Sequence, residues 1–88
     1  MPKRVEPLSP SAVANAKPHA KPYTMRDGRG LLLLVDPSGS KLWRFDYRRP
    51  GSGKRNMLSL GPYPDLSLRK AREPRDEARR LLAVGIDP

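Results

Sequence analysis

The sequence predicts an α+β fold: a small three-stranded antiparallel β-sheet packed against a C-terminal α-helix, with a short N-terminal helix and room for a short extra N-terminal strand. Three observations carry this expectation. Residues 41–49 alternate aromatic and polar side chains, and residues 55–60 alternate again after a Pro-Gly-Ser-Gly turn, the period of a half-buried strand. Residues 67–82 instead space Leu68, Ala71, Ala78 and Leu82 as one face of a helix. Finally, 11 Pro and 7 Gly in 88 residues require short elements joined by many turns.

Taken in order, residues 1–7 read as a flexible arm and 8–88 as one domain. Ser9 is a candidate N-cap with Pro10 at the first helical position, where its missing N–H costs nothing. Lys17-Pro18 ends that helix, because the residue before Pro is pushed out of the helical region. Tyr23 to Arg26 is a short extended candidate, and Asp27-Gly28-Arg29-Gly30 a turn. Leu31 to Val35 has the length and flanks of a buried strand, although five apolar residues in a row also suit a buried helix. Asp36-Pro37-Ser38-Gly39 has the type I turn pattern and leads into the strand 41–49. The strand places Trp43, Phe45 and Tyr47 on one face and Arg44, Asp46 and Arg48 on the other. In the next strand Leu58 and Leu60 oppose Arg55, Met57 and Ser59. Ser67 is the N-cap candidate of the last helix and Gly85 its terminator. Pro74 breaks the pattern by removing a hydrogen bond and crowding the Lys70 carbonyl. Either the helix is kinked there or it begins near Glu73; the apolar spacing on both sides favours a kinked, continuous helix.

Composition excludes several classes of function. There is no Cys, and His19 is the only His, so a disulfide framework or a zinc site of nitrogen and sulfur ligands cannot be built within the chain. No cofactor and no metal are expected. The longest apolar run, Leu31 to Val35, is far short of a membrane span, so a soluble, cytoplasmic protein is expected. Pro50-Gly51-Ser52-Gly53-Lys54 imitates a phosphate loop, but it is flanked by Arg48 and Arg55 where the pattern needs Gly and Ser or Thr, and it joins two strands. Glu73, Asp76 and Glu77 lie among Arg72, Arg75, Arg79 and Arg80, which reads as pairing along a helix rather than acid–base chemistry.

Charge is the strongest functional signal. The chain carries a net charge of +9 and a pI of about 10.7, which puts a nucleic acid first among partners. The excess is local: residues 40–60 hold six basic residues and one acidic, whereas residues 61–88 hold six and five. If the aromatic face packs under the helix with Leu31, Leu33 and Val35, the opposite face presents Arg44, Arg48, Arg55, Met57 and Ser59 to solvent. A narrow antiparallel ribbon fits the major groove of double-stranded DNA, about 12 Å wide. There Arg reads guanine, Ser reaches base edges, and Met meets a thymine methyl. Lys41, Arg49 and Lys54 lie at turns, where phosphate contacts are expected. Two other classes stay open: a protein-interaction module using Leu32, Leu34 and the last helix, and an RNA-binding domain.

Several segments also form a family pattern. They are Asn15-Ala16-Lys17-Pro18, Asp27-Gly28-Arg29-Gly30-Leu31, Pro37 to Phe45, Leu58-Ser59-Leu60-Gly61-Pro62-Tyr63-Pro64, Ala71-Arg72 and Gly85-Ile86-Asp87-Pro88. In this order they resemble the N-terminal arm-type DNA-binding domain of tyrosine-recombinase integrases from prophages and genomic islands, from about Leu8 to Pro88. The resemblance implies a small antiparallel sheet with a helix on one face. It also implies sequence-specific binding to arm-type sites that flank a recombination core, and partners among other integrase domains or protomers on DNA. The setting would be the bacterial nucleoid. It implies further that this is one domain taken from a longer integrase, with core-binding and catalytic domains following. The segment itself would then not be an enzyme, and Tyr23, Tyr47 and Tyr63 would not be the nucleophile. Asp46 departs from the family pattern, where a basic or neutral residue is usual; a pairing with Arg44 or Arg48, or acceptance from a cytosine amino group, is expected of it.

Overall fold

Ser9 opens the first helix as the sequence suggests: in the computed structural model, which describes residues 6–88, its hydroxyl accepts from the Ala12 N–H at 3.1 Å. Of the expected flexible arm, only Glu6 and Pro7 fall among the described residues. The elements are α1 (Pro10–Asn15), β1 (Tyr23–Gly28), β2 (Leu31–Val35), β3 (Lys41–Arg48), β4 (Arg55–Tyr63) and α2 (Leu68–Ala83). The four strands form one antiparallel sheet in the order β1-β2-β3-β4. The three expected strands are present, and the short extra N-terminal strand for which the sequence left room is the fourth. The extended candidate at 23–26 runs on to Gly28 because pairing with β2 carries it, and a bulge at Asp27 lets the ladder continue past the irregular register.

Side-chain alternation divides the sheet into two faces. Trp43, Phe45 and Tyr47 of β3 are buried with Leu31, Leu33 and Val35 of β2. Val13 of α1 and Leu68 and Ala71 of α2 close over the first part of this face, and Ala78 over Phe45 and Tyr47. Both helices thus lie on the same side. Burying each large side chain of this set contributes about 1.5–3 kcal/mol. The Trp43 indole N–H also donates to the Leu66 carbonyl at 2.6 Å, so the largest core residue carries no unpaired polar atom. A second bulge, at Leu60, sets Trp43 opposite Gly61 and Arg44 opposite Ser59. It allows Leu60 and Tyr63 to pack on the helix side together.

α2 is one helix of 16 residues with Pro74 inside it, so the continuous form expected from the apolar spacing holds. Ser67 caps it by accepting from the Lys70 N–H at 3.2 Å. At the other end the Gly85 and Ile86 N–H groups donate to the carbonyls of Leu82 and Leu81, the paired bonds that a Gly in the left-handed region makes possible.

The β1–β2 turn also depends on a glycine, for reasons of space as well as conformation. Gly30 has φ +91°, its carbonyl accepts from the Asp46 N–H at 2.8 Å, and a Cβ added there would lie 2.6 Å from the Asp46 carbonyl oxygen and 2.7 Å from the Phe45 ring. Gly51 has a similar φ of +84° but nothing within 4 Å of such a Cβ. Gly30→Ala is expected to cost about 2–3 kcal/mol and Gly51→Ala about 1 kcal/mol, the conformational penalty alone. Chemical denaturation of both variants checks this; equal losses would contradict the close approach at Gly30.

Candidate nucleic-acid interface

With both helices on one side, the other face of the sheet is left to solvent, and the strand register determines what it presents. One row across all four strands is Arg26–Leu32–Arg44–Ser59. Asp46 lies opposite Met57, and Arg48 opposite Arg55. The expected groove-facing set, Arg44, Arg48, Arg55, Met57 and Ser59, therefore shares one face. β2 ends at its pairing with Phe45, so Asp46 to Arg48 and Arg55 to Met57 form a two-stranded ribbon beyond it. Strands about 4.8 Å apart make such a ribbon about 10 Å across, narrower than the major groove.

Leu32 is 1% exposed although it points to this outer face. Its cross-strand neighbours are Arg26 and Arg44, whose aliphatic stems are placed to cover it while their charged heads remain outside. An apolar contact surface built on Leu32 is thereby corrected: the side chain is not available. The Arg44 Nε is buried and has no hydrogen-bond partner among the described residues. Arg26, fully part of this face and exposed, escaped the sequence reading because a strand of six residues with one bulge shows little alternation.

Asp46 sits within the face. It accepts from Arg55 Nη2 at 2.5 Å and Arg55 Nε at 3.3 Å, and lies 3.6 Å from Arg26 Nη1. The expectation of a pairing with Arg44 or Arg48 is corrected: the partner is Arg55, which lies two residues along β4 from Met57 and reaches the Asp46 carboxylate diagonally across the strands. The hydrogen bond from Arg55, with the charges of Arg55 and Arg26, holds the Asp46 carboxyl below its usual pKa despite the opposing effect of burial.

The turn residues divide. Lys54 is exposed beside the β3–β4 turn, which closes through the Arg49 N–H to the Lys54 carbonyl at 2.8 Å. Arg49 is half exposed and lies 3.8 Å from Asp87. Tyr47, on the helix side, donates its hydroxyl to the same Asp87 and accepts from Asn56. Lys41 faces the helices: its ammonium donates to the Val13 and Ala14 carbonyls at 2.9 and 3.2 Å, at the end of α1. Its alternation with Trp43 was the signal for that placement, and it ties α1 to the sheet instead of standing free at a turn.

A second charged cluster lies on the helix side. The Asp27 carboxylate, 2% exposed, accepts from the Leu8 N–H at 2.8 Å, from Arg72 at 2.8 and 3.0 Å, and from Arg75 at 3.4 Å. Arg72 also donates to the Leu8 carbonyl and Arg75 to the Gly28 carbonyl. The pairing along the helix expected from sequence spacing is present where Arg75 donates to Asp76 at 2.6 Å and Arg80 to Glu77; beyond it, Arg72 and Arg75 hold α2 and the N-terminal segment to β1. Burial opposes ionisation of Asp27 most strongly. The Arg72 and Leu8 hydrogen bonds and the two guanidinium charges together outweigh it, so the carboxyl lies below its usual pKa.

Among the described residues, no group of His, Asp and Glu is placed to hold a metal ion, and no helix is long and apolar enough to cross a membrane. The sequence profile of the Arm DNA-binding domain family matches residues 8–88. The chain belongs to that family. This arm DNA-binding domain is 49% identical over 81 residues to an integrase of Enterobacteria phage P4, covering 92% of this chain and 18% of that protein. It is 46% identical over 88 residues to the prophage integrase IntA of Escherichia coli strain K12, covering all of this chain and 21% of that protein. It is 42% identical over 81 residues to an integrase of Shigella phage Sf6, covering 92% and 20%. The arm DNA-binding domain thus spans about a fifth of the curated relatives it matches.

The Asp27 cluster gives a test of the scaffold. A carboxyl with a folded-state pKa below its unfolded value of about 4 stabilises the fold above that value, and the contribution disappears as pH falls through the folded-state value. Asp27→Asn removes the buried carboxylate that Arg72 and Arg75 share, leaving Arg75 with Asp76 alone, and is expected to cost about 2–3 kcal/mol at pH 7. The variant is also expected to lose stability less steeply than the parent below about pH 4, the remaining slope coming from Asp36 and Asp46, which are likewise depressed. Thermal unfolding across pH 2–7 checks this; parallel profiles would contradict an ionised Asp27 at the junction.

Proposed function

We propose that the outer face of the sheet enters the major groove of double-stranded DNA at arm-type sites and so positions an integrase for DNA integration and excision. The observation that carries this reading is the cross-strand register, which gathers Arg26, Arg44, Arg48, Arg55, Met57 and Ser59 on the one face that no helix covers. Arg44 and Arg48 supply forked donors for guanine, Ser59 a hydroxyl for a base edge or phosphate, and Met57 an apolar contact. Met57 is 45% exposed, one of three large apolar side chains so exposed among the described residues, and it lies at the inner end of the ribbon, opposite Asp46. Arg49 and Lys54, at the ribbon's tip, hold phosphates, which fix register without reading sequence.

The buried aromatic stripe argues against single strands as the substrate, since base stacking needs exposed rings and Trp43, Phe45 and Tyr47 are closed off by α2. Double-stranded RNA is disfavoured by shape, because its narrow major groove does not admit a ribbon. On this reading the domain carries no chemistry of its own. The strand exchange and the other integrase domains or protomers lie outside it, and the work is done at the bacterial nucleoid.

The test compares the tightest duplex selected from a random pool with a scrambled duplex. Arg44→Ala is expected to weaken the selected duplex by about 1–3 kcal/mol and the scrambled one much less. Lys54→Ala is expected to weaken both alike and to reduce the slope of log K against log[salt] by about 0.9, one phosphate contact. Equal losses on both duplexes for Arg44→Ala would remove it from base recognition.

A further inference from the structure

We infer that Asp46 is a positioning residue for sequence discrimination: its carboxylate holds the Arg55 guanidinium in a fixed pose on the DNA-facing ribbon and lowers the face's attraction for DNA of any sequence. The inference rests on the proposed use of the outer face and adds a role for its single acidic residue. Asp46 is the one carboxylate among the described residues on a face otherwise set with Arg26, Arg44, Arg48 and Arg55. A bare carboxylate there would repel phosphates. This one is not bare: its side chain is 8% exposed, while that of its partner Arg55 is 63% exposed. Arg55 uses Nε and Nη2 on Asp46, and Arg26 approaches from the other side. The two oxygens are thus occupied by guanidinium groups, and direct acceptance from a base would require Arg55 to leave.

The physical consequence has two parts. Arg55 lies directly opposite Arg48 across the ribbon, and two like charges in that position repel. With Asp46 alongside, the Arg55 guanidinium is drawn toward the sheet and turned by two hydrogen bonds, which leaves its second Nη and outer edge toward solvent in one orientation. A long side chain held this way loses less freedom when it meets a base, so the correct contact gains relative to incorrect ones. The same carboxylate removes one unit of positive charge from the face, which weakens binding to every duplex. Affinity without sequence preference is given up, and the ratio of specific to non-specific binding rises.

The experiment uses the full 88-residue chain with the selected and scrambled duplexes described above, in fluorescence anisotropy across a salt series. Asp46→Asn is expected to bind the scrambled duplex several-fold more tightly, with a salt slope steeper by up to about 0.9, and to lower the selected-to-scrambled ratio about tenfold. Asp46→Glu keeps the charge and displaces the carboxylate, so scrambled binding is expected to stay unchanged while the ratio still falls. In an Arg55→Ala background, Asp46→Asn is expected to leave the ratio unchanged, because the residue through which it acts is gone. Should Asp46→Asn change both duplexes by one factor, or lower the ratio equally with and without Arg55, the positioning role is overturned. Should the parent chain bind both duplexes alike, the outer-face reading itself fails, a result distinguishable from the first two.

Discussion

The carboxylate of Asp27 is the junction on which the arrangement of the domain depends. It is buried on the helix side at a bulge in β1, and it takes hydrogen bonds from the N-terminal segment through Leu8 and from α2 through Arg72 and Arg75. Hydrophobic packing alone would hold α2 to the sheet without specifying its rotation, since Leu68, Ala71 and Ala78 are small anchors in a helix of charged residues. A buried carboxylate facing two guanidinium groups has few satisfactory geometries, and leaving it unpaired is costly. The cluster therefore fixes where the helix lies and keeps it on one side.

What the cluster excludes is as important as what it joins. With α1 tied down by Lys41 and α2 by Arg72 and Arg75, three of the chain's basic residues are spent on the helix side. Arg26, Arg44, Arg48 and Arg55 lie on the outer face and Arg49 and Lys54 beside the β3–β4 turn, while Arg69, Lys70, Arg79 and Arg80 are exposed along α2. Both arrangements come from one rule, the alternation of side chains along a strand, which sends Trp43, Phe45 and Tyr47 inward and Arg44, Asp46 and Arg48 outward. A domain of this size has surface to spare and little core, so a single two-faced sheet can serve both needs.

How far this could be read beforehand differs by element. β2 was legible residue for residue from its length and its flanks, Gly30 and Asp36, which decide for a strand where five apolar residues in a row would also suit a buried helix. β3 and the first half of β4 were legible from alternation, and with them the shared face of Arg44, Arg48, Arg55, Met57 and Ser59. β1 was only half visible: the bulge at Asp27 interrupts its period, and its length depends on pairing with β2. Lys41 was misjudged because its position near a turn outweighed its parity with Trp43. The Asp27 cluster had no local signal at all, since Asp27 and Arg72 are 45 residues apart and each reads locally as a turn or helix-surface residue. The same holds for Asp46 and Arg55, whose pairing follows from strand register and not from spacing.

One face of the sheet is held by helices, and the proposed reading gives the other to DNA. A nuclear magnetic resonance titration of the labelled chain with the selected duplex tests this most directly. Backbone and arginine side-chain shifts are expected at Arg26, Arg44, Asp46, Arg48, Arg55, Met57 and Ser59, with the solvent side of α2 at Arg69, Glu73 and Glu77 unchanged. Shifts gathered along α2 with the outer face silent would contradict it.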